Sequence, residues 1–443
     1  MKKSGFTLIE LMVAMVVGLT VITSVYSLGS AMTRQFYEEQ RVASSQGTSR
    51  VAIMELRRDI SRAGLFGSPN ADLEPTCDTN LPTLAKLTGG IGPMGAFQYY
   101  ADYDQSSVFD LALNPDVHAD RLRILTSLYL TDQLLVHSAG TDSAGNRGGA
   151  IVLQAGNQAY RRTFSWGQPA GPFTGSTATA PDYLTGDLGW DASWSGATAN
   201  WYGIAQKGAR AFQTGSVLHI ETDHGRHFFR SVFAKDGITQ GEVRLQITPP
   251  LPLGTACLPG RAEGATVAPL QWVEYAVVNP FDDTQVGDKF MDFSGLFSDS
   301  LLPSDPVYNI PAAASTFETP NRMLIRRVLD AATGDPRHSS TQVIAEFVSN
   351  FQVSFLIDTT SGTATPTLTA SSNENTINDN PERVRSVIID LGVRSPLEDP
   401  TIDTSWTPDG GTRFNVNATQ TGAARVRNMR IEIPVMNVAR RNL

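Results

Sequence analysis

The hydrophobic pattern is most distinctive near the start of the chain, where residues 11–33 include no charged side chain. At 1.5 Å per residue, an α-helix of this length extends about 35 Å, which is enough to cross the ~30 Å hydrocarbon core of a bilayer. Lys2 and Lys3 precede the apolar run. Because positive flanks stay on the cytoplasmic side, the pattern predicts a single membrane pass with the bulk of the chain outside.

The helical pattern continues beyond the apolar run, and no proline occurs before Pro69. A stripe recurs at steps of three and four residues, as one face of a helix does; its members are Val42, Gln46, Ser49, Ile53, Leu56, Ile60 and Ala63. We predict one helix with a membrane half, residues 6–33, and an amphipathic half, residues 34–64. Gly18, Gly29 and Gly47 are the predicted bend points. Four charged residues are predicted to lie mostly off the stripe: Arg50, Arg57, Arg58 and Asp59. Gly64 is predicted to end the helix.

The remaining residues, 65–443, alternate strand-like runs with clusters of turn residues. The predicted strands are 121–125, 216–220, 228–233, 271–278, 323–329, 343–357, 384–393 and 426–435. Most carry β-branched or aromatic residues at every second position, so one face of the sheet is apolar and must be covered. The helical stripe is available to cover it. The chain is therefore predicted to be α+β, with one long helix packed on an antiparallel sheet that carries large loop insertions.

Two long loops are expected in this body. Residues 138–202 are rich in glycine and contain four tryptophans, Trp166, Trp190, Trp194 and Trp201. Such an insertion can form a recognition surface for a partner or a glycan, but we favour aromatic residues that fold it back onto the sheet. Residues 359–381 are polar and are predicted to form a flexible loop.

Charge and cysteine content narrow the function classes. The chain has a formal net charge of -9 and no basic tract, so it lacks the electrostatic footprint of a nucleic-acid-binding protein. Its two cysteines, Cys77 and Cys257, lie outside any CxxC motif, and a metal site on this pair alone would lack ligands. In an oxidising compartment the pair predicts one long-range disulfide. Two unpaired buried thiols are the alternative.

Glu10, at the start of the apolar run, separates this N-terminus from simpler membrane segments. An ordinary secretory signal has a shorter apolar core followed by a small-residue cleavage site, and no convincing cleavage site follows this run. A plain membrane anchor does not account for Glu10, because a carboxylate in a membrane helix costs several kcal/mol unless it is neutralised or paired.

The sequence Gly-Phe-Thr-Leu-Ile-Glu-Leu-Met-Val at residues 5–13 resembles the class III signal of type IV prepilins. The resemblance implies a leader of residues 1–5, cleavage by prepilin peptidase between Gly5 and Phe6, and N-methylation of Phe6. Glu10 then becomes the fifth residue of the mature chain and sets the assembly register by meeting the Phe6 amine of a neighbouring subunit. The alternative for Glu10 is a carboxylate that reaches the lipid headgroups.

Further segments resemble PilW-type minor pilins, to which the shorter GspJ-type pseudopilins of type II secretion are related. They are residues 57–67, 119–123, 348–355, 384–387 and 391–395. The resemblance implies the pilin fold and a role in initiating pilus assembly within a tip complex. The implied partners are other minor pilins, major pilins and the inner-membrane assembly machinery, and a large tip adhesin is left open. The implied location is the inner membrane before assembly and the pilus filament afterwards.

Motifs for catalysis and cofactors are weak. Residues 90–95 match GxGxxG but lack the flanking strand and helix of a dinucleotide site. His219, Glu221, Asp223, His224 and His227 cluster in sequence without a marked fourth zinc ligand. Asp282, Asp283 and Asp288 form an acidic stretch that favours a solvated surface over one bound calcium ion. We therefore expect no enzymatic activity and no cofactor.

Three other functions are weighed against the minor pilin. A type II secretion pseudopilin shares the signal, although the body is long for one. A pilus-mounted module could bind a glycan through the tryptophan-rich insertion. A membrane-anchored hydrolase is disfavoured because no nucleophile, base and orienting residue can be assigned.

Overall fold

The computed structural model describes residues 8–74, 95–103, 114, 117–128, 133–153, 212, 215–236, 244–255, 258, 262–278, 322–330, 334, 336–337, 340–360, 366–395, 413–414 and 424–439. Within these residues the protein is α+β. One long N-terminal helix is followed by a body made mostly of β-strands.

The N-terminal helix α1, Leu8–Ile60, contains 53 residues and is about 80 Å long at 1.5 Å per residue. It passes through Gly18, Gly29 and Gly47 as one helical segment, so the prediction of one continuous helix is confirmed. It ends at Ile60, slightly before the predicted end, and the chain turns through Gly64, whose φ is 71°. This left-handed conformation suits glycine, because it has no Cβ.

Fifteen strands follow within the described residues. Their bounds are β1 Phe97–Tyr100, β2 Arg121–Thr126, β3 Leu134–Thr141, β4 Arg147–Leu153, β5 Val217–Glu221, β6 His227–Asp236, β7 Arg244–Thr248, β8 Thr266–Val278, β9 Met323–Leu329, β10 Gln342–Ala345, β11 Val348–Asp358, β12 Leu368–Ser371, β13 Val384–Arg394, β14 Arg413–Phe414 and β15 Ala424–Pro434. Two short helices are also present, α2 Glu374–Asp379 and α3 Met436–Ala439. Ala71–Leu73 and Pro381–Arg383 form 3-10 turns.

The larger sheet contains a closed barrel. Its strand order is β1-β2-β8-β3-β4-β7-β6-β5, and β5 also pairs with β8, so that six strands from β8 through β3, β4, β7 and β6 to β5 form a ring. Closure leaves no free edge within the ring. Apolar side chains fill a separate core here, including Leu134, Ile151, Leu218, Phe228 and Leu245. Strands β9 and β10 extend from β8 outside the ring.

The second sheet has five strands in the order β12-β11-β13-β15-β14. Its apolar side chains, among them Phe351, Phe355 and Leu391, share one core with the end of α1 and with the strands β1, β2 and β8. Asp120 joins the two sheets, because its carboxylate accepts hydrogen bonds from Tyr99 Oη at 2.9 Å and from Val353 N at 2.6 Å. Burial raises the pKa of Asp120.

The expected pilin fold, with one helix packed on one sheet, is confirmed only as an N-terminal helix followed by a mostly β body. The described body has two sheets and one of them closes into a six-stranded barrel, so the architecture is not the usual pilin fold. The cause lies in β8, whose first half pairs with β3 and β5 and whose second half pairs with β2 and β9. Almost every residue of β8 is buried. Such a run shows no alternation from which its several partners could be inferred.

Two local predictions are also corrected. The predicted strand 343–357 is divided into β10 and β11, and the break includes Phe347, whose φ of 57° interrupts an extended strand. The predicted flexible loop 359–381 contains β12 and α2 within its described part, and the Asn373 side chain caps α2 by accepting a hydrogen bond from Thr376 N. Residues 138–153, expected to begin the insertion, belong largely to β3 and β4.

Candidate functional site at the N-terminal helix

The first half of α1 is apolar, and the described part of the body does not cover it. The twenty-residue segment Leu11–Ser30 is long and apolar enough to cross a membrane, and none of it is buried inside the protein. An apolar surface of this size is unfavourable in water. Lipid or the apolar helices of other subunits would provide the surroundings that this segment requires.

Six hydroxyl side chains in this half are compatible with such surroundings. Each donates a hydrogen bond to a backbone carbonyl three or four residues earlier, over 2.8–3.0 Å; they are Thr20, Thr23, Ser24, Ser27, Ser30 and Thr33. The hydroxyl groups therefore need no water. The helix is unbroken at Ser27, in the middle of this half.

The second half of α1 packs against β2, β10, β13 and β15. The predicted stripe is confirmed at Ser49, Ile53, Leu56, Ile60 and Ala63, which are all buried. It is wrong at Gln46, which is exposed, and Ser45 is buried in its place. The helix thus has a bare apolar half and a half that is embedded in the body.

Asp59 is the main polar link between α1 and the body. The sequence pattern predicted that Asp59 would lie off the stripe, but its exposed fraction is 0%. Tyr275 Oη and Arg326 Nε donate to Asp59 Oδ2 over 2.9 Å and 2.6 Å. Arg58 Nε donates to the other carboxylate oxygen over 3.2 Å. A buried carboxylate is tolerated only when it is paired and hydrogen-bonded in this way.

The pKa values of the two partners follow from this burial. Burial, together with the negative charge of Asp59, raises the pKa of Tyr275 well above its usual value. Burial alone would lower the pKa of Arg326, but the attraction of Asp59 outweighs it and the pKa is raised. Near neutral pH, Tyr275 is therefore a neutral donor and Arg326 a permanent cation.

The C-terminal end of α1 is fastened by groups from separate parts of the body. Thr126 Oγ1 donates to the carbonyl oxygen of Arg62 at 2.7 Å, and Asn437 Nδ2 donates to that of Ser61 at 3.1 Å. Gly64 N donates to Leu125 O at 2.9 Å. These contacts tie the turn that follows Ile60 to the body and give its backbone groups hydrogen-bond partners.

Part of the predicted histidine cluster also supports this end of the helix. His219 Nδ1 lies 2.7 Å from Phe66 O and His219 Nε2 lies 2.8 Å from His227 Nδ1, while His227 Nε2 is 3.3 Å from Glu74. His224 is not part of this arrangement and lies in the exposed turn between β5 and β6. Within the described residues, no group of three or more His, Cys, Asp or Glu side chains could hold a metal ion.

Several predicted site residues cannot be placed. Gly5 and Phe6 at the leader junction, both cysteines (Cys77 and Cys257) and the acidic residues Asp282, Asp283 and Asp288 all lie outside the described residues. The four tryptophans of the insertion do too. Glu10 belongs to the first turn of α1. The sequence pattern did not identify Tyr275 and Arg326 as the residues that hold Asp59. The available signal was the pair of arginines at positions 326–327 inside an otherwise apolar strand pattern.

One protein-family model matches the N-terminal residues of the chain. Residues 1–26 match the prokaryotic N-terminal methylation motif. The chain carries a type IV prepilin-like signal. No curated protein and no solved structure matches the chain at a significant level. The motif indicates a type IV pilin-like or pseudopilin protein, and it suggests processing by prepilin peptidase and interaction with pilus assembly machinery. Together, the motif and the apolar helix are consistent with membrane anchoring and incorporation into a pilus.

Proposed function

We propose that the protein is a PilW-type minor pilin that helps to initiate type IV pilus assembly in a tip complex with other minor pilins. The observation that carries the proposal is the methylation motif at residues 1–26, which opens an apolar helix that the body leaves bare. In the proposed cycle, lipid surrounds the segment Leu11–Ser30 before assembly, and helices of neighbouring subunits surround it afterwards.

The rigid attachment of α1 supports this cycle. Moving a subunit from membrane to filament requires that force on the helix reaches the body without pulling the two apart. The buried contacts of Asp59 with Tyr275 and Arg326 fix the second half of the helix to the larger sheet. The body therefore moves together with the helix, and its loops are presented at a fixed distance from the filament axis.

The outward side of the second half of α1 provides a further contact surface. Val51 and Met54 project away from the body, and 71% of Met54 is exposed. They lie three residues apart and therefore on one side of the helix. In an assembled filament this side can pack on a neighbouring helix beyond the membrane-spanning segment.

The remaining parts of the proposal concern processing and location. Prepilin peptidase cleaves between Gly5 and Phe6 and methylates Phe6, and Glu10 pairs with the Phe6 amine of the adjacent subunit. The subunit crosses the inner membrane once, with its N-terminus in the cytoplasm, before it enters the filament. The protein acts by binding other pilins and the assembly machinery, without catalysis and without a cofactor.

The rival functions predict different cellular activities for the protein. A pseudopilin would be required for protein secretion by a type II system, and a pilus-mounted module would bind a glycan through the tryptophan-rich insertion. We prefer the minor pilin because the segments at 57–67, 384–387 and 391–395 resemble PilW-type chains and because the body is long for a pseudopilin.

The proposal is tested by complementing a deletion of the gene in its own host. Wild type and Glu10→Asp should restore surface pili, whereas Glu10→Val should be cleaved normally yet restore few. Glu39→Val, the same change beyond the apolar segment, is the matched control and should restore pili. Normal piliation in the deletion strain, or loss of type II secretion instead of pili, would reject the minor-pilin assignment.

A further inference from the structure

A cluster of arginines lies on the face of the larger sheet that is turned away from α1. Neighbouring residues of a strand point to opposite faces, so that Tyr275 reaches Asp59 while Glu274 points to the other side. Arg123 on β2 and Arg327 on β9 stand directly opposite Glu274 in the strand register. Arg121 lies two residues before Arg123 and shares its face.

Glu274 is the common partner of these arginines. Arg123 Nε donates to Glu274 Oε2 over 2.7 Å, and Arg327 Nε donates to Oε1 over 2.7 Å. Arg121 Nε is farther away, at 3.8 Å from Oε2. Burial alone would raise the pKa of Glu274, but the three guanidinium groups lower it to about 2. Glu274 is therefore ionised at neutral pH.

The charges in this cluster do not balance. Three guanidinium groups surround one carboxylate, which leaves a local excess of two positive charges among the described residues. The Arg121 side chain is only 13% exposed, and its buried Nε has no hydrogen-bond partner among the residues that the structure describes. Uncompensated buried charge is unfavourable, and burial lowers the pKa of Arg121.

Aromatic rings hold two of the guanidinium groups in place. The Arg121 guanidinium lies over the Tyr103 ring, 3.2 Å from its centroid, and that of Arg123 lies 5.2 Å from the centroid of Tyr100. Tyr100 Oη accepts a further hydrogen bond from Arg123 Nη1 over 3.2 Å. Stacking fixes the planes of the guanidinium groups, so the cluster is arranged before any ligand arrives.

We propose that Arg121, with Arg123 and Arg327 around it, forms a binding site for a carboxylate ligand. A guanidinium fork matches the two oxygens of a carboxylate and can bind it through paired, charge-assisted hydrogen bonds. A bound carboxylate offsets part of the excess positive charge and gives the Arg121 guanidinium a second charged partner besides Glu274, which lies 3.8 Å from its Nε. The site stands independently of the minor-pilin proposal, because it rests on the body alone.

Thermal unfolding of the detergent-solubilised full chain tests this site. Wild type is compared in sodium acetate and in sodium chloride at equal pH and ionic strength, so that general screening cancels. We expect a melting temperature about 2 °C or more higher in acetate, because a ligand that binds only the folded state stabilises it. An equal melting temperature in the two salts overturns the proposal.

Three variants make the assignment specific. Arg121→Gln keeps the short contacts of Glu274 with Arg123 and Arg327 and should lose the difference between acetate and chloride. Glu274→Gln removes the competing carboxylate and should enlarge the difference. Arg147→Gln changes an exposed arginine at the start of β4 and should behave like wild type. A difference that persists unchanged in Arg121→Gln assigns the acetate effect to another part of the protein and rejects the site.

Discussion

Arg326 Nε donates a hydrogen bond to Asp59 Oδ2 over 2.6 Å, and this pair joins the long helix to a strand that lies more than half the chain away. Both side chains are buried. The pair is surrounded by the apolar core that the helix shares with both sheets. The contact therefore fastens the second half of α1 to the body.

Asp59→Ala should destabilise the protein by about 3–5 kcal/mol, because it leaves the Arg326 charge buried without its short partner. Urea unfolding of the full chain in detergent measures the loss. Asp223→Ala, at an exposed turn, is the control and should change stability by less than about 0.5 kcal/mol. The double variant Asp59→Leu with Arg326→Met should recover most of the loss. A cost below about 1 kcal/mol for Asp59→Ala would show that the pair does not secure the helix.

Two glycines of the helix region should respond to alanine with opposite signs. Gly47 lies inside α1 with open space around it, and alanine there should stabilise by about 1 kcal/mol through helix propensity. Gly64 has a φ of 71°, and an added methyl group would lie 3.4 Å from Val438 Cγ2. Gly64→Ala should destabilise by about 1–2 kcal/mol because of the left-handed backbone. Urea unfolding measures both changes in stability. If both alanine variants were stabilised, or both destabilised, the result would contradict the helix end described above.

Glu274 should make stability depend on acid pH. Its pKa falls from 4.5 to about 2 on folding, so its contribution is present above pH 4.5 and is lost as the pH falls towards 2. Glu274→Gln should cost about 3 kcal/mol at pH 7, and the difference from wild type should shrink in this window. Glu263→Gln, at an exposed position, is the control. A difference that stays constant from pH 7 to pH 3 would contradict the ionised, arginine-bound carboxylate.

The predicted disulfide can be tested by mass alone. Protein purified from the periplasmic side and alkylated without reductant should carry no label on Cys77 or Cys257, and each should take one label after reduction. The single variants Cys77→Ser and Cys257→Ser should each expose the other thiol to labelling. Labelling of both cysteines in unreduced wild type would reject the disulfide.

Local features of the fold could be predicted from the sequence. The long helix, the hairpin of β5 and β6, and the strands β9, β13 and β15 each follow from patterns within about a dozen residues. Barrel closure could not be predicted, because it depends on β8 pairing with four strands from distant parts of the chain.

The candidate site also has one part that could be predicted from the sequence and one part that could not. The apolar segment and its signal are contiguous in sequence, so the residue pattern was sufficient to propose them. Asp59 looked like a solvent-facing charge because its partners Tyr275 and Arg326 are more than 200 positions away. A burial pattern of period 3.6 identifies the apolar face of a helix, but it cannot identify a carboxylate that a distant arginine neutralises.

The N-terminal residue of the mature protein tests the central claim most directly. Surface fibres sheared from the host can be digested, and the N-terminal peptide of this protein can be identified by mass spectrometry. The account predicts a peptide that begins at N-methylated Phe6 and retains Glu10 and the apolar segment after it. A protein in fibres that still begins at Met1, or that begins beyond residue 33, would contradict it.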